Sequence, residues 1–217
     1  MDQLNVIQRV AVWALPILFA ITVHEVAHGW MAKRLGDKTA MMLGRLTLNP
    51  LKHIDPVGTI LVPGVMLLLG GFIFGWAKPV PVTWQNLHNP KRDMALVALA
   101  GPVSNLLMAT IWAIVMRIGI SLGGTFDSAA VPLIYMGSAG VLINVLLAVL
   151  NLLPVPPLDG GRVLSSLLPG PWSYKLSLIE PYGLFILVGL LVTGLLGQLI
   201  GPPISWLQHL FYTIVGI

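Results

Sequence analysis

Residues 10–32 read VAVWALPILFAITVHEVAHGWMA, and the reading of this stretch decides the fold class. It is long enough to cross a bilayer core as helix, which takes roughly 20 apolar residues. Its one formal charge is Glu25, set between His24 and His28. In an H-E-x-x-H pattern the two histidines lie four residues apart on one helix face, where both imidazoles can bind a single Zn²⁺. Glu25 stands beside them, placed to take a proton from metal-bound water, whose pKa zinc lowers toward about 7. An acid at the centre of a membrane helix costs roughly 3 kcal/mol on insertion scales, so such a cluster reads as functional.

Working outward, three more apolar runs approach or exceed spanning length: Met94 to Leu122, Val131 to Leu153 and Leu178 to Ile200. The 217 residues are 56% hydrophobic and 9% charged, whereas a soluble domain carries about a quarter charged residues. The chain is therefore read as an integral membrane protein in one domain, residues 1–217, with no internal repeat or linker. It has no cysteine, so thiolate sites are excluded and any metal must use His, Asp, Glu or water. The first run lacks a basic leading region and carries the chemistry, so it is read as retained rather than as a cleaved signal. The net charge of +4 comes from bases clustered at helix ends, which points to membrane orientation and not to nucleic-acid binding.

Lys33, Arg34, Lys38, Arg45 and Lys52 follow the first helix, against Arg9 before it. The positive-inside rule puts that C-terminal end in the cytoplasm. The run from Val57 to Phe74 has bases on both flanks and is broken by Pro63-Gly64 and Gly70-Gly71, which predicts a re-entrant segment. Residues 45–50 and 77–83 bracket it and alternate enough to be short edge strands. A helix from Arg92 to Leu122 then runs outward. Gly123-Gly124-Thr125 turns, Val131 to Leu153 returns to Pro154, Pro156 and Pro157, and Leu178 to Ile200 goes back out before Pro202-Pro203. The fold class is thus an all-α polytopic membrane helix bundle with a small membrane-associated β element and a re-entrant segment.

A catalytic zinc keeps one position open for water and takes a third protein ligand. Glu180 is the only other glutamate, and the position six after His28 holds Arg34. Asp2 and Asp127 fall on the outer side by this topology. Asp37, Asp55, Asp93 and His53 fall in cytoplasmic loops, where turn, cap or solvated charge is the ordinary role. Asp159 differs, because it sits in NLLPVPPLDGGR, residues 151–162, where prolines end a transmembrane helix and two glycines follow the acid. Such a break is tolerable at membrane depth beside a cavity or packed protein. By residue type alone Asp159 is equally a helix N-cap, worth about 1 kcal/mol.

Taken in order, His24-Glu25-x-x-His28, Gly101-Pro102-Val103-Ser104-Asn105 and the Asn151 to Gly161 segment resemble the site-2 protease family of intramembrane zinc metalloproteases, in a short form without PDZ or CBS modules. The resemblance runs over nearly the whole chain to about Gly170. It implies one Zn²⁺ held by His24, His28 and Asp159, with Glu25 as the catalytic glutamate. It also implies a middle-helix amide, Asn105, that could hydrogen-bond the substrate carbonyl or backbone and steady the tetrahedral intermediate, an interhelical hydrogen bond being its ordinary alternative, with Asn151 as a structural partner near the Asp loop. Gly75 to Val82 resembles the family's membrane-associated strand region, whose edge could capture an unwound substrate. The implied activity is hydrolysis of peptide bonds within or beside transmembrane segments of other proteins, in a bacterial or archaeal plasma membrane. The donor set also suits iron or cobalt. Intramembrane His and carboxylate residues also mark ion transporters, and a noncatalytic zinc-holding adaptor is a further reading, though it gives Glu25 no task.

Overall fold

The computed structural model describes residues 6–61, 65 and 77–217, and every regular element among them is helical. The helices are α1 (Val6–Arg34), α2 (Thr39–Met42), α3 (Pro90–Leu122), α4 (Asp127–Asn151), α5 (Asp159–Leu167), α6 (Gly170–Ser177), α7 (Gly183–Val192) and α8 (Leu195–Ile214). Four helical stretches are long and apolar enough to cross a membrane: Val10–Arg34, Pro90–Leu122, Asp127–Asn151 and Gly170–Val192. Their outward faces suit lipid. On α3 the exposed stripe is Val103, Leu107, Ile111, Ile114 and Ile118, spaced by three and four residues.

Helix α3 is the centre of the bundle, packing on α4 most extensively and also on α1 and α5. The α3–α4 seam is close because glycine removes the Cβ at three points. Trp112 lies against Gly140, Met116 against Gly137, and Gly119 against Leu133 and Ile134. Without a hydrophobic driving force between helices in lipid, such van der Waals keying supplies the association. Ala109, Ala113, Val141 and Val145 fill the layer beside Trp112, and Phe211 of α8 closes it.

The end of the chain departs from expectation. Leu178 to Ile200 is not one helix: α7 stops at Val192, Gly194 turns the chain at φ 76°, and α8 continues to Ile214 with Pro202 and Pro203 inside it. A glycine takes that left-handed conformation without a Cβ clash, so the break falls there and not at the prolines.

The small β element is likewise corrected. Residues 45–49 and 77–83 carry no strand, and Pro50 opens a short 3₁₀ turn. The reason lies in the donors of the second segment. Pro79 and Pro81 have no N–H, the Lys78 N–H goes to the His53 carbonyl at 2.9 Å, that of Val80 to the Glu25 carboxylate at 2.7 Å, and that of Thr83 to Asp37 at 2.7 Å. A ladder needs those same groups. The segments still meet, through the Arg45 guanidinium donating to the Lys78 carbonyl at 2.9 Å. The expected re-entrant segment, Val57 to Phe74, starts inside a π-helical turn, Pro56–Leu61. Apart from residue 65 its remainder, with Pro63-Gly64 and Gly70-Gly71, lies outside the described residues.

Asp37 ties the loop after α1 to the segment before α3. It is fully buried and accepts from the Thr39 N–H and hydroxyl, the Thr83 N–H and the Asn86 amide. Burial opposes its ionisation, but these hydrogen bonds outweigh that and hold the carboxyl below its ordinary value of 3.8. A carboxyl depressed in the fold contributes stability that is full above its unfolded value and lost as pH falls through the folded one. Asp37→Ala is therefore expected to lower the Tm in detergent by several degrees at pH 7, because orphaned buried donors cost about 1–3 kcal/mol. The deficit should shrink as the pH is taken below about 4. An equal deficit at pH 7 and pH 3 would remove the carboxylate from this account.

Candidate metal centre

Three side chains from two helices converge at one point. His24 and His28 project from the same face of α1, and Asp159 from the first turn of α5. The His24 and His28 Nε2 atoms are 3.0 Å apart, and the Asp159 Oδ2 is 3.2 Å from the first and 3.3 Å from the second. The N-cap alternative for Asp159 is not what the structure contains. Leu158 occupies the cap position without a side-chain cap bond, and the carboxylate turns to the histidines instead.

The chain around Asp159 leaves it little freedom. Asn151 ends α4, and Gly160 and Gly161 pack against the Leu152, Leu153, Val155 and Pro156 backbone with no room for a Cβ. Gly183 of α7 seats against the Pro156 carbonyl in the same way. Glycine is required here because backbone meets backbone. On the other side, Gly101 of α3 faces the two imidazoles, where a Cβ would sit 2.6 Å from the His24 Cε1 and closer still to His28.

The ring tautomers follow from what each Nδ1 touches. His28 Nδ1 is 2.7 Å from the Val97 carbonyl oxygen, which can only accept, so His28 donates from Nδ1 and a neutral ring presents a lone pair at Nε2. His24 Nδ1 is 2.6 Å from the Asn105 Oδ1 and is paired in the same sense. Two Nε2 lone pairs and a carboxylate oxygen thus face one another, and the Asp159 Oδ2 is a buried atom with no hydrogen-bond donor. Acceptors so arranged need a cation between them. Two imidazoles and one carboxylate are a zinc donor set with an open fourth position, and the residues present fit that ion.

Glu25 is half-buried beside His24, His28 and Asp159, with its Oε2 on the Val80 N–H. The cavity at this point has a volume of about 150 Å³ and is walled by Glu25, Val80, Val82, Asn151 and Arg162 together with those three side chains. Val82 and Arg162 also border a neighbouring cavity of about 320 Å³ that extends toward Trp84, Ser166 and Glu180.

Asn105 is brought to the site but not to the cavity. It is fully buried, its Oδ1 on His24 and its Nδ2 on the Ala20 carbonyl and the Asn144 Oδ1, which leaves no donor for a substrate carbonyl. Asn151, read from sequence as structural, lines the cavity and donates to the Leu147 carbonyl at 3.0 Å. Its place between Leu150 and the Pro154 break was the available signal. The other acids are occupied locally: Asp55 caps the Val57 and Gly58 N–H groups, Asp93 the Asn89 N–H, and Asp127 the Gly124 N–H. Glu180 is exposed on the wall of the larger cavity.

Several known proteins are similar to this chain. A family model described as "Peptidase family M50" matches residues 117–190, which include Asp159. The chain is 38% identical over 192 residues to "Putative zinc metalloprotease YwhC" of Bacillus subtilis, covering 88% of this chain and 84% of that protein. It is 32% identical over 221 residues to "Putative zinc metalloprotease Rip2" of Mycolicibacterium smegmatis, covering 100% of this chain and 80% of that one. "Zinc metalloprotease MJ0392" of Methanocaldococcus jannaschii is 23% identical over 175 residues, 79% of this chain and 39% of the relative. No solved structure matches.

Proposed function

The chain belongs to peptidase family M50, the site-2 proteases, and from that premise we propose that it is a zinc-dependent endopeptidase acting on membrane proteins within or beside their transmembrane segments. The observation that carries this reading is the meeting of the His24 and His28 Nε2 atoms with the Asp159 Oδ2 in a cavity that Glu25 also lines. His24, His28 and Asp159 would hold one zinc ion, which when bound supplies Lewis acidity toward water and a peptide carbonyl. Glu25 takes a proton from the attacking water and delivers it to the departing amine, the task of a carboxylate within reach of both. Val80 orients that carboxylate through its N–H, leaving the second oxygen for proton transfer.

A helical substrate hides its carbonyls in i to i+4 hydrogen bonds, so a segment must unwind before its scissile bond reaches Glu25. The larger cavity beyond Val82 and Arg162 offers space for that unwound segment and an entry for water. The basic residues flanking α1 support a cytoplasmic-side opening, and the bacterial and archaeal relatives suggest a plasma membrane.

The test uses purified protein in detergent and a panel of single-span membrane substrates. Cleavage is expected to fall to background on treatment with a zinc chelator and to return when zinc, but not magnesium, is added back, because imidazole nitrogens favour zinc. Cleavage that continues undiminished in the stripped protein would end this reading.

A further inference from the structure

We infer that Asn105 is a positioning residue for His24, and that Asn144, a helix away from the centre, sets its polarity. This deepens the proposed function and rests on the reading of His24 as a zinc ligand. Asn105 of α3 and Asn144 of α4 are both fully buried at the bundle centre. Buried amides in a lipid-facing bundle are costly unless every group is paired. Here each is part of one chain of hydrogen bonds that ends on a metal-binding ring.

The direction of the chain is fixed by backbone carbonyls, which accept and never donate. The Asn144 amide lies 2.9 Å from the Gly140 carbonyl, so its NH₂ must point there and its Oδ1 must point away, toward Asn105. Asn105 then has two acceptors on one side, the Asn144 Oδ1 at 2.9 Å and the Ala20 carbonyl at 3.1 Å. Its two N–H bonds satisfy both. Turning the Asn105 amide over would set its oxygen against two other oxygens with no proton between them, so the orientation is dictated by the partners. The Oδ1 is left facing His24 Nδ1 at 2.6 Å, and an oxygen there requires Nδ1 to carry the hydrogen. The lone pair is thereby held at Nε2, the atom that meets His28 and Asp159.

His28 obtains the same result from one backbone carbonyl, that of Val97. Among the described residues no backbone carbonyl is hydrogen-bonded to the His24 Nδ1, so two side chains from two other helices transmit the polarity of the Gly140 carbonyl. Outer partners of this kind commonly change metal affinity by about 10–100-fold when removed.

The test needs zinc affinity by competition with a chelating dye, and the ring tautomers of ¹⁵N-histidine-labelled, zinc-free protein. Asn105→Leu should weaken zinc binding by about 10–100-fold and Asn144→Leu by about 10-fold. The double variant should be no weaker than Asn105→Leu alone, because Asn144 acts through Asn105. Asn144→Asp should recover wild-type affinity: a carboxyl buried here stays protonated, so its O–H donates to the Gly140 carbonyl and its other oxygen accepts from Asn105. In zinc-free wild type the His24 Nδ1 signal should be that of a protonated nitrogen, with an unprotonated Nδ1 appearing in Asn144→Leu. An unprotonated His24 Nδ1 in the wild type overturns the inference without any variant. So does wild-type affinity in folded Asn144→Leu, or an Asn144→Leu deficit that persists undiminished in the Asn105→Leu background. Failure of the wild type itself to bind zinc would instead strike at the parent reading.

Discussion

Glu25→Gln protein is expected to bind zinc as tightly as the wild type and to cleave substrate about 10²–10⁴-fold more slowly, the range in which a positioned general base acts. The substitution is unusually clean at this site. A glutamine carbonyl still accepts the Val80 N–H that now rests on the Glu25 Oε2 at 2.7 Å, so the segment from residue 77 to residue 83 keeps its anchor. The three ligand atoms are untouched. What disappears is the ability to take up a proton. Single-turnover cleavage measured beside zinc stoichiometry separates the outcomes. Retained zinc with lost turnover assigns the proton transfer to Glu25, whereas retained turnover would leave Glu25 as a clasp for Val80 and put the base elsewhere.

The second large effect concerns a residue with no functional group. Gly101→Ala would on helix propensity alone favour α3 by about 1 kcal/mol. Its Cβ, however, would stand 2.6 Å from the His24 Cε1 and nearer still to His28. Neither ring can swing aside at low cost, because each is held at Nδ1, by Asn105 and by the Val97 carbonyl. The expected result is loss of zinc affinity by at least about 100-fold, at the upper end of what disturbed outer contacts produce, and loss of peptidase activity with the helical content unchanged. Normal zinc binding by Gly101→Ala would mean that α1 and α3 can separate at this level.

The chemistry of the site was more legible in the sequence than its surroundings. His24, His28 and Glu25 declare themselves because a four-residue spacing on a helix has one geometric meaning. Asp159 stood out because no other acid sits at a proline break followed by two glycines, although residue type alone could not tell a ligand from a cap. Asn144 gave no signal, since an amide inside an apolar run does not say which neighbour it meets, and the same holds for the contact of Asn105 with His24. The strands at residues 45–50 and 77–83 were misread for a related reason. Alternation was present, but Glu25 and Asp37 took the N–H groups a ladder would have used. The break near the end of the chain was assigned to Pro202-Pro203 when Gly194 made it. Apart from the Gly194 break, which is local, each miss involves a partner distant in sequence.

That the imidazoles belong to α1 and the carboxylate to α5 has a consequence for biosynthesis. A nascent chain delivers His24 and His28 into the bilayer early, when α3 and α4 have yet to leave the ribosome. Until α5 docks against α3, the pair lacks the Asp159 carboxylate, and the three-residue donor set is incomplete. Completion of the donor set thus waits on insertion of the later half of the chain.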